Sequence, residues 1–245
     1  MRSRTKERHT VCRVAAYREL DDVLALNRKV RPSSQAICSG LSAECRRAPL
    51  LRDRLREAWA GAGQIVLLSG EAGIGKSRLG AQLAAEVANE PHTRLRYQCS
   101  PYHRNSVLHP FVVQMGRAAR LAPEDPAETQ LDKLEAILAS ARIAETAPLF
   151  ASLLSIPTGE RYPPLALSAA QQRRLTLAAL LDQLEALARQ KPVLMLFEDA
   201  HWADATSLEV LDLTVERVRA LPVLALITFR PEYEAPGPAS RTSPA

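Results

Sequence analysis

Ile65-Val66-Leu67-Leu68, Val193-Leu194-Met195-Leu196-Phe197 and Val223-Leu224-Ala225-Leu226-Ile227 are apolar without interruption. Runs of this length suit strands buried on both faces of a parallel sheet. They predict strands over 65–69, 193–197 and 223–229. Arg94-Leu95-Arg96-Tyr97-Gln98-Cys99 alternates polar with apolar and predicts one more short strand. Between the strands the spacing is helical. Leu50, Leu51, Leu55, Ala58 and Trp59 predict a helix from about Leu41 to Ala60, ended by Gly61-Ala62-Gly63. Leu79, Leu83 and Val87 share one face of a second helix, from Lys76 to about Glu90. The region from Val107 to Ala147 reads as helical with breaks at Pro123 and Pro126, and Leu131, Leu134, Ile137 and Leu138 form its apolar stripe. Pro148 to Pro164 reads as irregular. Ser168 to Arg189 reads as a long helix with Leu175, Leu177, Leu180, Leu181, Leu184 and Leu187 turned inward. Thr206-Ser207-Leu208-Glu209 has the form of a capping box opening a last helix to about Arg219. Strands alternating with helices make this an α/β chain with a parallel sheet of about four strands and a helical insert.

The ends differ from this core. Residues 1–40 carry Arg2, Arg4, Lys6, Arg8, Arg13 and Arg18 and read as a basic appendage, with one amphipathic helix over Tyr17–Val30. Residues 41–234 form the domain, and 235–245, rich in Pro, Ser and Ala, read as a disordered tail. With 245 residues, of which 47% are apolar, the chain can bury a core without disulfides. The net charge of +5 is spread along the chain with acids beside it, which argues against a nucleic-acid surface outside the N-terminal arm. Cys12, Cys38, Cys45 and Cys99 form no C-x-x-C pair, as expected of reduced thiols in a cytoplasmic protein. No apolar run approaches the roughly 20 residues that span a bilayer.

Between the strand at 65–69 and the helix from 76 lies Gly70-Glu71-Ala72-Gly73-Ile74-Gly75-Lys76-Ser77, followed by Arg78. It fits the pattern G-x-x-x-x-G-K-[ST] in the strand–loop–helix context that a phosphate-binding loop needs. Its glycines let backbone N–H groups converge on phosphate oxygens, and the helix start adds partial positive charge. Lys76 would place a charge between the β- and γ-phosphates, and Ser77 would offer a hydroxyl to Mg²⁺. Glu198-Asp199 closes the strand at 193–197, at the sheet end where ligands of open parallel sheets bind. The order of these acids assigns Glu198 to Mg²⁺ and Asp199 to the attacking water. His201 and Trp202 follow, and Asp204 is placed to order the turn beyond them. Thr228 and Arg230 end the last strand, where an arginine could stabilise transition-state charge or report nucleotide state.

Together the motifs GEAGIGKSRL (70–79), CSPYH (99–103), ERYPPLALS (160–168), LMLFEDAHWAD (194–204), TSLE (206–209) and ITFRPE (227–232) resemble the STAND-type, signal-transduction branch of the AAA-related P-loop ATPases. The resemblance runs from about Leu41 to Glu234. It is nearest to the ATPase domain of large bacterial adenylate/guanylate cyclase-like proteins, and similar domains occur in LuxR-type regulators. It implies the three-layer P-loop NTPase fold and a nucleotide switch that binds ATP or ADP, hydrolyses ATP slowly and acts on regulatory or effector domains. On matching positions it implies that Gly70, Gly73, Gly75, Lys76 and Ser77 hold phosphates, that Glu198 and Asp199 serve Mg²⁺ and water, and that Arg230 is the strand-end sensor. The sequence departs from the family at Gly40-Leu41-Ser42-Ala43-Glu44-Cys45-Arg46, where a Gly-Arg-Glu box is usual. The family's fifth strand, its helical lid and its neighbouring domains also find no counterpart. That predicts a fragment whose strand at 65–69 is a sheet edge. The leading expectation is a Mg-dependent ATPase of low activity. The alternatives are a nucleotide-binding module without turnover and a DNA-associated regulator using the basic arm.

Overall fold

The computed structural model describes residues 11–17, 35–39, 44–139 and 142–230. The described strands are β1 (Val11–Tyr17), β2 (Gln35–Ser39), β3 (Gln64–Ser69), β4 (Thr93–Gln98), β5 (Val193–Glu198) and β6 (Val223–Phe229). The described helices are α1 (Glu44–Trp59), α2 (Lys76–Glu86), α3 (His109–Ala118), α4 (Ala127–Ile137), α5 (Ile143–Leu153), α6 (Ala169–Gln190) and α7 (Ala205–Arg217). One sheet runs in the order β2-β1-β3-β6-β5-β4. β3, β6, β5 and β4 are mutually parallel, while β1 is antiparallel to both β2 and β3. This is the P-loop NTPase-like α/β fold expected from the alternation of elements.

The apolar runs are buried on both faces for the expected reason. Val66 and Leu68 of β3 join Leu194 and Leu196 of β5 and Leu224 and Leu226 of β6 beneath α1 and α2. Ile65 and Leu67, with Met195, Phe197, Ala225 and Ile227, face the layer built from α3 to α7. Each of these Val, Leu, Ile, Met and Phe side chains contributes roughly 1.5–3 kcal/mol on burial, so strands with no solvent face form the strongest part of the fold. In α2, Gly80 lies over the sheet face that carries Leu196 and Leu226: a Cβ there would stand 3.6 Å from Leu226 Cδ2 and 3.9 Å from Leu196 Cδ2, ordinary contact distances. Gly80→Ala is therefore expected to stabilise the domain by about 0.5–1 kcal/mol, because glycine in a helix interior loses more backbone entropy on folding. A urea midpoint that fell on this substitution would show that α2 has no room to spare.

The structure corrects several expectations. β3 is not a sheet edge. β1 covers its outer side, with Arg13 opposite Ser69 and Tyr17 opposite Ile65. The N-terminal segment thus supplies the backbone partners that an exposed edge would lack. The strand is antiparallel and precedes β3 in the chain, whereas the expected partner was a parallel strand after residue 229. Tyr17 closes β1. The rest of the helix expected over Tyr17–Val30, and the tail at 235–245, lie outside the described residues.

The helix expected to end before Pro148 instead continues as α5 to Leu153, with Pro148 inside it. Proline there forfeits one helical hydrogen bond, but Ala147, Leu149, Phe150 and Ala151 are all buried, and that packing outweighs the loss. α4 stops at Ile137, a break inside the region expected to be helical as far as Ala147. Gln183 of α6 ends it: its Nε2 donates to Ile137 O (2.8 Å) and its Oε1 accepts from Ala139 N (2.9 Å). Leu175 is not inward; it is among the exposed large apolar residues. The capping box on the last helix is absent. Asp204 is the N-cap of α7, accepting from Thr206 N and Ser207 N at 3.0 Å each, and Glu209 pairs with Arg173 on α6. The capping box that does form joins Ser168 and Gln171 at the start of α6.

Candidate functional site

The glycine loop connects β3 to α2 and is held at both ends. Gly70 N donates to Phe229 O of β6 (3.3 Å), and Leu79 N donates to Gly75 O (3.0 Å) as α2 begins. Ile74 packs against the core beneath α1 and α2, while Glu71, Ala72 and Gly73 are exposed. Gly73 and Gly75 have φ of 79° and 92°, and a Cβ on either would meet nothing within 4 Å. Positive φ at these positions turns the loop, and the space in front of both glycines is open. Lys76, the first residue of α2, is only 8% exposed. Its Nζ donates to Gly70 O (2.6 Å) and Glu71 O (2.9 Å), so the ammonium is folded back onto the loop's own carbonyls. Ser77 and Arg78 lie exposed in the first turn.

Sheet order brings the other motifs to the same end of the sheet. β6 lies between β3 and β5, and Leu68 is opposite Thr228 while Ser69 is opposite Phe229. With strands about 4.8 Å apart, the ends of β3 and β5 stand roughly 10 Å from each other. Thr228 is buried, and its Oγ1 accepts from Asp199 N (3.0 Å). Asp199 adopts φ 56° and ψ 45°, a left-handed conformation that Asp tolerates better than most residues. The sharp turn follows directly on β5. Its backbone is secured on one side by Thr228 and on the other by Trp202 N, which donates to Asp199 O (2.9 Å). Such a strained residue at a strand end is a mark of functional sites.

Glu198 ends β5 and is 4% exposed. Arg96 of β4 donates to its Oε2 from Nε (3.0 Å) and Nη2 (2.8 Å). Arg96 did not emerge from the sequence as a site residue. The available signal was the alternation of β4, which puts Arg94 and Arg96 on the face opposite Leu95 and Tyr97; only the pairing of Gln98 with Glu198 shows which carboxylate that face meets. The pair leaves a buried carboxylate with a cation that is itself half exposed. Arg96→Ala is expected to destabilise the protein by about 1–2 kcal/mol, since it strips the partner from a buried charge while solvent screens part of the loss. Thermal denaturation checks this; an unchanged midpoint would show the pair to be energetically silent.

Beyond Asp199, His201 is buried and its ring centroid lies 4.9 Å from that of Trp202. Arg230, placed at the end of β6, reaches across to Trp202 with its guanidinium carbon 5.8 Å from the ring centroid. Arg104, from the loop after β4, lies over the same ring at 5.1 Å. Asp204, besides capping α7, accepts from Leu108 N (3.2 Å) and so ties the start of α3 to this segment. His103 and His109 stack at 3.7 Å. Burial, with the neighbouring His103, holds His109 below its ordinary value. Protonating His109 therefore opposes the fold, and the stability present at neutral pH is lost as pH falls through its lowered value. Burial, with Asp204 and Asp199 nearby, pushes the Cys99 thiol up to about 12. At neutral pH it is no nucleophile.

The donor set fits Mg²⁺ bound with a phosphate ligand. Glu198 and the Ser77 hydroxyl are hard oxygen donors, and among the described residues no group of three or more His, Cys, Asp or Glu could hold an ion by itself. Mg²⁺ is ordinarily held by one or two carboxylates with substrate phosphates and water. Among the described residues no helix is long and apolar enough to cross a membrane.

A family model described as an AAA ATPase domain matches residues 45–227. An uncharacterized protein of Rhizobium meliloti (strain 1021) is 33% identical over 183 residues, covering 71% of this chain and 17% of that protein. The chain therefore spans less than a fifth of the curated relative it matches. No solved structure gives a significant match.

Proposed function

The chain belongs to the AAA ATPase domain family, and from that premise we propose that it is the ATP-binding module of a larger cytoplasmic signalling protein, a slow Mg-dependent ATPase whose nucleotide state is passed to regulatory or effector domains. The observation that carries the reading is the loop at 70–77. Lys76 Nζ is held among its carbonyls, left-handed Gly75 caps α2, and the loop is bonded through Phe229 to the strand that also receives Asp199. The match over most of a chain that covers 17% of its relative supports a module within a larger protein. The STAND-type assignment rests on the motif resemblance.

In this reading the N–H groups of residues 70–78 receive the phosphates, and Lys76 exchanges its two carbonyls for phosphate oxygens. Ser77 and Glu198 would hold Mg²⁺, which supplies neutralising charge to the phosphates. Asp199 orients a water and accepts its proton as the oxygen–phosphorus bond forms. The bond from the γ-phosphorus to the bridging oxygen breaks, and ADP and orthophosphate leave. Arg230, held at the end of β6, stabilises charge on the departing phosphoryl group. A second reading, a binding module without turnover, is favoured by one contact: Arg96 occupies one oxygen of Glu198. Phosphate release from Mg-ATP tests the two. Release above the Lys76→Ala background supports an ATPase. Intact ATP binding with no release above that background supports the second.

A further inference from the structure

We propose that Arg104 is a further phosphate-sensing residue, which acts with Arg230 on the terminal phosphate and is held in waiting by the ring of Trp202. The proposal rests on the ATP-binding reading above.

Trp202 has two guanidinium groups on it, at 5.1 and 5.8 Å from the ring centroid, both within the roughly 6 Å over which a cation is attracted to an aromatic face. The two arginines come from different strand ends, Arg104 beyond β4 and Arg230 beyond β6, and Trp202 follows β5 between them. Among the described residues neither arginine has an ion pair, whereas Arg52, Arg96, Arg161, Arg173 and Arg217 each meet a carboxylate. Two like charges gathered on one neutral ring lack an anion, and the indole attraction, worth about 0.5–1 kcal/mol at an exposed site, is weak enough to give up. A phosphoryl group offers each guanidinium a pair of charge-assisted hydrogen bonds, which are stronger.

The placement of Arg104 is not an accident of a loose loop. At one end, Cys99 N donates to Glu198 O (3.0 Å); at the other, Leu108 N donates to Asp204 Oδ2 (3.2 Å). The segment that carries both acids and Trp202 therefore holds the loop that carries Arg104. Inside the loop, His103 N donates to Ser100 O (3.1 Å) and Ser106 N to His103 O (3.0 Å). Arg104 itself is exposed, so its guanidinium can leave the ring without unmaking the core. Arg104 and Arg230 thus flank the β5 end, where the terminal phosphate of a nucleotide held by the loop would point.

A residue that meets only the terminal phosphate affects ATP and not ADP. The test uses the full chain carrying Trp59→Phe, so that Trp202 is the sole tryptophan of the two present. A non-hydrolysable ATP analogue with Mg²⁺, and separately ADP with Mg²⁺, are titrated against its emission and by calorimetry. Arg104→Ala is expected to weaken the ATP analogue about tenfold, equal to about 1.4 kcal/mol, and to leave ADP within twofold. Arg104→Lys, which keeps the charge but not the fork, is expected to fall between. The analogue is expected to change Trp202 emission more than ADP does, with the difference reduced in Arg104→Ala. Equal weakening of both nucleotides, or of neither, overturns the proposal. Should Lys76→Ala bind the analogue as well as its parent, it is the ATP-binding reading that fails, and the result for Arg104 is then judged by its ATP-to-ADP ratio alone.

Discussion

Replacing Lys76 with alanine is expected to weaken ATP binding by 100-fold or more. Lys76 is nearly buried at the first turn of α2, and in the free protein its ammonium is compensated by the carbonyls of Gly70 and Glu71. A buried ammonium has given up most of its water, so its attraction to a phosphate is little screened. Losing one such preorganised contact to developing or fixed negative charge costs on the order of 3–4 kcal/mol, which is a few hundredfold in affinity. The fold is expected to survive. The loop stays tied to β6 through Gly70 N, which donates to Phe229 O whatever stands at position 76. Calorimetric titration with Mg-ATP, beside a thermal melt of the same variant, separates the two effects. A variant that melts like the parent and binds ATP equally well would remove residues 70–77 from consideration as the nucleotide site.

Asp199→Asn is expected to lower ATP turnover by about 10² to 10⁴, the usual worth of a positioned general base, while leaving the affinity for ATP unchanged. The substitution is structurally mild for a specific reason. Asp199 sits in the left-handed region, which Asn also tolerates, and its contact with Thr228 is made by the backbone N–H rather than by the carboxylate. What disappears is the capacity to accept a proton. Glu198→Gln is a different experiment, since it also breaks the ion pair with Arg96 and alters a buried position. Phosphate release measured at saturating ATP, with binding measured separately, decides the assignment. Undiminished release in Asp199→Asn would transfer the role of base to another group or to solvent.

Much of the domain was legible along the chain. Each of these apolar runs became a strand, because four or five consecutive apolar side chains in extended backbone cannot all be buried unless a sheet has layers on both faces. The phosphate-loop motif was legible because its geometry is local: glycine, lysine and serine at fixed spacing between a strand and a helix specify where φ turns positive and where the helix begins. The placement of Glu198, Asp199 and Arg230 at one sheet end followed from their positions after apolar runs. Helix ends are less legible. Pro148 has the local pattern of a stop, yet the helix passes through it because its neighbours are buried. The Thr206 box gave way to Asp204, one of several residues competing for the same exposed N–H groups.

The contacts that decide how the site is tuned are all between residues far apart in the chain. Arg96 meets Glu198 because β4 pairs with β5 in one register, and a shift of one residue would turn Arg96 to the other face. Asp204 reaches Leu108, and Arg104 and Arg230 reach one tryptophan, because loops from three neighbouring strands converge. β1 covers β3 because a strand's backbone groups accept any partner of suitable length, and no local pattern names which segment will provide it. Local spacing therefore sets the phosphate loop and the strands. Strand pairing, which depends on hydrogen bonds and burial between distant segments, decides which charges those strands bring to it.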